Sequence, residues 1–486
     1  MESRDARFAG RFVTAVVTTG IYCRPGCPAR LPARRNVRFF VSAAGAEGDG
    51  FRPCRRCRPD AAARTPVLAG AGATVARALR LIADEGAILA APRGTVAADA
   101  VGEDVSDNLR GVDALAARLG VSARHLRRLF EERLGASPHA IAQTRRVHFA
   151  RQLLDETTLP ITEIALAAGF GSVRRFNDAF RASFHTTPTA LRRSRPIGDG
   201  TEGAITLRLA YRPPLALASL VGFLAVRALP GVEVVNDLSY SRTVLLDGEP
   251  ATIHVAPIDG EHALALRVDG GHARALAIAV ERARRVFDLD SDPLTIDEHL
   301  ARDPRLAPLV AARPGLRVPG AWDPFELAVR AIVGQQVSVA RARDIAAALV
   351  ERHGVRFPSN KGALTHLFPT PEALARADAH TLGMPRARGQ ALIDLARVVA
   401  DRTLVLDGAG DLDQTVARLT ALTGIGEWTA HYIALRALRE PDAFPASDLV
   451  LRKSLALDRV EDVEAAAAAW RPWRAYAALH LWSKGE

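Results

Sequence analysis

Lysine is nearly missing from this 486-residue chain: of its 64 basic residues other than histidine, only Lys361, Lys453 and Lys484 are lysines. Cysteine stops at Cys57, so the long remainder holds no thiol for disulfides, iron–sulfur ligation or nucleophilic catalysis. No run of about eighteen apolar residues occurs, which argues against a membrane-spanning helix. The N-terminus lacks the basic, apolar, small-residue order of a secretory signal, and a cytosolic protein is expected. The formal net charge of +10 fits a polyanionic partner, nucleic acid or acidic membrane, because clustered cations release counterions condensed on phosphates. A competing reading is that the Arg and Ala richness reflects genome base composition.

The length suggests roughly three domains. Residues 61–74 form an Ala, Gly and Pro stretch that reads as a linker, followed by a helical segment at 75–85. Residues 86–110 show no sustained periodicity and read as a mobile loop. Helical patterns run from 112 to 193, and a Gly-rich break at 195–203 precedes a change of texture. Segments 205–211, 231–235, 241–246, 251–257 and 262–268 alternate or are β-branched enough to be strands. From Asp323 onward the pattern returns to helix.

The four cysteines are spaced Cys23-x3-Cys27-x26-Cys54-x2-Cys57, two close pairs that a fold can bring into one tetrahedral thiolate site, with zinc as the default metal. In a reducing cytosol such pairs point to metal rather than disulfide. The surrounding Thr18-Thr19-Gly20-Ile21-Tyr22-Cys23-Arg24-Pro25-Gly26-Cys27 and Gly50-Phe51-Arg52-Pro53-Cys54-Arg55-Arg56-Cys57 resemble the zinc domain of the Ada methylphosphotriester repair family. The resemblance implies one zinc ion and a methyl-accepting role for the first cysteine, Cys23; a purely structural site needs the same ligands. Four thiolates on one divalent cation leave a local charge of −2, and methylating one sulfur reduces it to −1, which favours phosphate binding.

Two helix-turn-helix patterns follow. In one, Gly120-Val121-Ser122 separates amphipathic segments; in the other, Gly169-Phe170-Gly171-Ser172 does so, and each serine is a good N-cap. The tandem arrangement, with Ile164-Ala165-Leu166-Ala167-Ala168-Gly169-Phe170 in its second unit, resembles the AraC family. That resemblance implies that the helices starting at Ser122 and Ser172 enter successive major grooves. Arg124, His125, Arg128, Arg174, Arg175 and Asn177 are the candidate contacts, set against the ordinary alternative of solvated surface charge.

Leu422-Thr423-Gly424-Ile425-Gly426-Glu427-Trp428-Thr429-Ala430 looks like a helix-hairpin-helix, in which Gly424 and Gly426 let the backbone approach a phosphate; Thr423 and Thr429 are taken as further DNA contacts. Phe444-Pro445-Ala446-Ser447-Asp448-Leu449 follows at the distance where glycosylases of this superfamily place their catalytic aspartate. With Trp322-Asp323-Pro324-Phe325-Glu326, Gly334-Gln335-Gln336-Val337-Ser338 and Trp470-Arg471-Pro472-Trp473, the region resembles the AlkA-type 3-methyladenine DNA glycosylases. The resemblance implies Asp448 as the catalytic anion, Trp428, Tyr432 and Trp482 as an aromatic base pocket, and Gln336 in place of a leucine wedge. Asp448 also reads as a helix N-cap, and each aromatic as core packing. Trp428 occupies the place of the lysine that forms a Schiff base in lyase-active relatives, so hydrolysis without strand cleavage is expected. No cofactor is needed for that chemistry.

The expected architecture is multidomain α+β. It comprises a zinc domain (1–65), an all-α tandem helix-turn-helix domain (75–195, insert 86–110), a strand-rich subdomain (204–314) and an all-α helix-hairpin-helix domain (315–486). The expected protein is a monomeric, nucleoid-associated bacterial protein acting on double-stranded damaged and promoter DNA, with RNA polymerase a further candidate partner. The alternative is a methylation-responsive transcription factor whose second half is a non-catalytic DNA clamp. A direct O6-methylguanine alkyltransferase is disfavoured because a Pro-Cys-His-Arg motif is absent.

Overall fold

The structure is a computed structural model that describes residues 5–61, 72–84, 103–193, 204–358 and 362–483. Most of the expected linker, break and insert lies outside these residues. Two compact units emerge: Met1–Pro213 with Ile258–Glu281, and Pro214–Pro257 with Arg282–Glu486.

The first unit opens with a small sheet that the sequence patterns did not announce. Strands β1 (Val13–Val16), β2 (Ile21–Cys23), β3 (Val37–Phe40) and β4 (Arg52–Pro53) lie in the order β3-β1-β2-β4. β1 pairs antiparallel with β2 and β3, while β2 and β4 run parallel. The short helix α1 (Ala43–Gly48) is started by Ser42, whose Oγ accepts the Gly45 N–H at 3.0 Å. Val13, Ala15, Tyr22, Ala46 and Phe51 form its modest core.

Among the described residues seven helices follow: α2 (Ala73–Asp84), α3 (Glu103–Arg118), α4 (Ala123–Leu134), α5 (Pro138–Glu156), α6 (Ile161–Ala167), α7 (Val173–Phe184) and α8 (Pro188–Arg193). Helix α3 corrects the reading of 86–110 as loop, because residues 103–110 are helical. The signal was there: acidic residues at 103 and 104 suit a helix N-terminus, and apolar residues at 105, 109, 112 and 116 recur at helical spacing. In α7, Phe176, Phe180 and Phe184 recur every fourth residue on one buried stripe, with ring centroids 5.6 and 4.7 Å apart. Glycine at 135 and histidine at 185 close α4 and α7 in the left-handed conformation.

All five expected strands form: β5 (Ala204–Ala210), β6 (Glu233–Asn236), β7 (Ser239–Leu246), β8 (Glu249–Pro257) and β9 (Ala263–Gly270). In the first unit β5 and β9 pair antiparallel from Ala204↔Asp269 to Ala210↔Ala263. In the second, β7 pairs antiparallel with β6 and β8. Helices α9 (Leu217–Ala225), α10 (Leu276–Val286), α11 (Pro293–Leu300) and α12 (Ala307–Ala312) also lie within the segment. Leu220, Val221 and Leu224 line the buried side of α9 at helical spacing, a period hidden in a nearly all-apolar run.

The rest of the second unit is mainly helical. It contains α13 (Pro324–Val333), α14 (Val339–His353), α15 (Pro371–Ala375), α16 (Arg386–Ala400), α17 (Leu412–Thr420), α18 (Glu427–Arg436), α19 (Leu449–Leu455), α20 (Val460–Ala467) and α21 (Arg474–Trp482). A broad core built from α13, α14, α16 and α18, including Phe325, Ile332, Leu349, Leu392 and Ile433, supports the elements that carry the chemistry.

Candidate functional site

Strand register builds the sulfur cluster. The parallel pairs Ile21↔Arg52 and Tyr22↔Pro53 place the next residues, Cys23 and Cys54, side by side, and the Cys54 N–H donates to the Tyr22 carbonyl at 2.9 Å. Gly26, at φ +84°, turns the chain so that Cys27 returns towards Cys23. All four Sγ atoms lie within 4.8 Å of one another. A tetrahedral zinc with bonds of about 2.3 Å needs sulfurs about 3.8 Å apart, so the donor set fits the ion in number, type and spacing. Cys23, Cys54 and Cys57 are buried and Cys27 partly so. The contact with Cys23 draws the Cys57 thiol down to about 6, and the same contact together with burial pushes Cys23 up.

The residue before Cys23 leads to a group that sequence reasoning missed. Tyr22 Oη donates to Glu47 on α1 at 2.8 Å, and Glu47 also meets His148 Nε2 at 2.8 Å and accepts from Thr144 Oγ1 at 3.0 Å and Ser183 Oγ at 3.4 Å. One carboxylate thus gathers β2, α5 and α7. Burial disfavours its charge, but His148 overrides this and holds Glu47 below the usual carboxylate range. Reciprocally, burial alone would lower His148, yet Glu47 raises it. The only hint was a lone acid in the small-residue helix Ala43–Gly48. Arg58, just past Cys57, adds a second tie, pairing with Asp60 at 2.7 Å and with Asp155 on α5.

The helix-turn-helix serines cap as expected: Ser122 Oγ accepts the His125 N–H and Ser172 Oγ accepts the Arg175 N–H, both at 3.2 Å. Arg124, Arg128, Arg174 and Arg175 are exposed, while His125 and Asn177 are half-buried. Arg128 leans on His125 at 3.1 Å and on Glu132 at 3.4 Å.

In the second unit, Asp448 starts α19, and its Oδ1 accepts the Val450 and Leu451 N–H groups at 2.9 and 3.0 Å. Trp482 Nε1 donates to the same oxygen at 3.1 Å, and Trp428 Nε1 donates to Oδ2 at 2.8 Å. The cap and the candidate catalytic carboxylate are therefore one group. Trp428 and Tyr432, one helical turn apart on α18, stack at 5.2 Å with an 11° interplanar angle. Trp482 tilts against Tyr432 at 6.1 Å. Three aromatics and the carboxylate form a single half-buried cluster. Behind it, Arg436 Nη1 donates to Tyr432 Oη at 2.9 Å; burial would raise this phenol, but Arg436 and Arg227 outweigh it and bring it below its usual value.

The hairpin between α17 and α18 exposes Thr423, Gly424 and Gly426. Gly424 has φ +88°, and a β-carbon there would sit 2.6 Å from that of Ala391 on α16, so conformation and space both demand glycine. Gly426 is the N-cap of α18 and has no side chain to occupy the first-turn amides. Thr429 departs from expectation: it is 3% exposed, and its hydroxyl accepts from Gln335 at 3.0 Å instead of facing outward. At the third position of α18 its side chain turns into the core. Gln336 is exposed at φ +55°, an unusual backbone for a residue with a β-carbon.

Comparison with known proteins finds four family profiles along the chain. These are the metal binding domain of Ada at residues 1–60, a helix-turn-helix domain at 115–194, the AlkA N-terminal domain at 206–323 and the HhH-GPD superfamily base excision DNA repair protein at 329–473. The chain is 44% identical to a probable bifunctional transcriptional activator/DNA repair enzyme AlkA of Mycobacterium tuberculosis, covering 99% of this chain and 95% of that protein. It is 36% identical to the DNA-3-methyladenine glycosylase 2 of Escherichia coli, over 56% of this chain and 95% of the relative. A solved 3-methyladenine DNA glycosylase from Archaeoglobus fulgidus shares the fold at TM-score 0.51 and 22% identity, covering 56% of this chain and 96% of its own. With this similarity along nearly its whole length, the protein belongs to the family of bifunctional AlkA-type transcriptional activators and DNA repair enzymes.

Proposed function

We propose that the second unit hydrolyses the N-glycosidic bond of alkylated purines such as 3-methyladenine in duplex DNA, with Asp448 as the catalytic anion. The observation that carries this reading is the carboxylate fixed by four N–H donors beside three clustered aromatics. An N-alkylated purine carries positive charge and leaves readily, so the enzyme's main task is to stabilise the developing oxocarbenium sugar. The C1′–N bond breaks with its electron pair passing to the base, Asp448 faces the cationic sugar, and a water positioned by the carboxylate adds at C1′, giving up its proton to Asp448. Trp428, Tyr432 and Trp482 present electron-rich ring faces to the extruded, electron-poor base. Thr423, Gly424 and Gly426 hold the DNA backbone without reading sequence, and Gln336 enters the space the base leaves.

The first unit adds a methyl acceptor. The methyl carbon of a DNA phosphotriester moves from oxygen to Cys23 Sγ, and the phosphodiester anion departs. Cys23, Cys27, Cys54 and Cys57 would hold a zinc ion, which would keep the accepting sulfur deprotonated. The gain of one positive charge favours binding to promoter DNA through α4 and α7, with Arg124, His125, Arg128, Arg174, Arg175 and Asn177 on the DNA side. The working form is a cytosolic, nucleoid-associated monomer that contacts RNA polymerase at promoters.

The deciding experiment is excision from duplexes containing 3-methyladenine or 7-methylguanine, comparing wild type with Asp448→Asn. The variant keeps shape and loses the anion, and a drop of about a hundredfold or more is expected. Full activity in the variant removes Asp448 from the mechanism. The products are free base and an intact abasic strand, because Trp428 supplies no amine for a Schiff base; strand cleavage without added alkali contradicts this. Peptide mass spectrometry after exposure to methylated DNA is expected to find one methyl on Cys23, and a methyl on another cysteine refutes that assignment.

A further inference from the structure

The turn between α13 and α14 is hydrogen-bonded to the hairpin through the Gln335 side chain. Gln335 Nε2 donates to the Gly424 carbonyl at 2.9 Å and to Thr429 Oγ1 at 3.0 Å. Its two targets bracket the hairpin: Gly424 is the left-handed turn residue seated on Ala391, and Thr429 is buried in the first turn of α18. The next residue, Gln336, is exposed and stands at φ +55°, a conformation that an isolated turn does not favour for a β-carbon residue and that its surroundings must hold in place. The carboxamide of Gln335 therefore links the turn that carries the exposed Gln336 directly to Gly424 and Thr429.

The geometry points to Gln335 as a positioning residue for base extrusion. It fixes the Gln336 turn to the hairpin, so that gripping the backbone and filling the vacated base stack occur as one rigid movement. This inference rests on the glycosylase reading given above. Extruding a paired base costs unstacking and unpairing free energy, which a pre-fixed wedge offsets and a swinging one does not. A lesion that is already unpaired needs little such help.

The test compares wild type, Gln335→Ala and the isosteric Gln335→Glu on one methylated purine in two settings: fully paired duplex and a single-base bulge. Glutamate keeps the length but cannot donate to the Gly424 carbonyl. Single-turnover excision from paired duplex is expected to fall about tenfold in both variants, the size that two ordinary hydrogen bonds produce. Excision from the bulge is expected to change much less. Equal losses in both settings would mean general damage to the domain, and no loss in either would mean the link is idle; each overturns the proposal. A parallel arm measures 2-aminopurine fluorescence beside the lesion in an Asp448→Asn background, where the base is displaced but not released. A reduced extrusion signal with Gln335→Ala is expected even if excision is lost or never present, whereas an unchanged signal rejects the positioning role. The glycosylase reading fails separately, on absence of excision by wild type.

Discussion

The sulfur cluster and the Asp448 cluster are assembled in opposite ways. Four thiols meet at the end of a short parallel strand pair, beside a core of five buried residues among those described, and their spacing suits a shared tetrahedral cation. Asp448 sits at a helix start where two backbone and two indole N–H groups already satisfy it, against a core that spans several long helices. Small modules with little apolar area commonly draw stability from a bound metal, whereas here a large helical core and local N–H donors preorganise the carboxylate.

That contrast is open to direct attack. Chelation under reducing conditions is expected to give the largest effect: structural zinc of this type contributes on the order of 10 kcal/mol in apparent binding free energy. Limited proteolysis should then cut within residues 5–61, while excision by the second unit continues. Loss of both together would show that the two sites do not stand on separate footings.

Glu47→Gln asks whether metal alone holds the small module. Removing one partner of a buried ion pair costs about 3 kcal/mol, so a lower denaturation midpoint for the first unit is expected even with zinc saturating. Because Glu47 is depressed, its share of stability is present above its unfolded value of 4.5 and fades as pH falls through the lower folded value. His148 is raised, so its share is complete below its unfolded value of 6.5 and is lost as pH climbs through the higher folded value. Denaturation across pH should show the wild-type advantage over Glu47→Gln shrinking at both ends; a constant difference would count against the pair.

Gly424→Ala probes the other side of the comparison. Left-handed strain plus the 2.6 Å approach to Ala391 is expected to cost about 2 kcal/mol, read as a lower midpoint for the second unit and weaker DNA binding. The smallest effect belongs to Ser172→Ala, which removes one N-cap from α7. About 1 kcal/mol of stability should be lost, measurable by thermal denaturation, with no change in zinc content.

Much of the candidate site was legible before any coordinates. Paired cysteine spacing, two Ser-capped helix-turn-helix patterns and the Gly424 to Asp448 interval each leave a local signature of turn, cap or ligand chemistry. Glu47, by contrast, is one acid in an Ala and Gly helix, and its partners Tyr22, Thr144, His148 and Ser183 come from distant segments. Gln335 lies inside the Gly334-Gln335-Gln336-Val337-Ser338 motif, yet its partners are 89 and 94 residues away and no spacing rule announces them. Thr429 differs from expectation for the same reason: motif membership places it at the hairpin, but packing turns its side chain inward.

The sequence by itself determined what is local: where helices start, where glycine alone fits, which residues can ligate zinc, and the absence of thiols after Cys57. Those depend on φ preference, capping and donor chemistry, all set within a few residues. Only the tertiary structure decided that both indoles of Trp428 and Trp482 grip Asp448, that Glu47 joins three elements, and that Gln335 binds one turn to another. These are hydrogen bonds between segments far apart in the chain, and their partners are fixed by how helices pack and strands register. A linear pattern carries the donors and acceptors but not the distances between them.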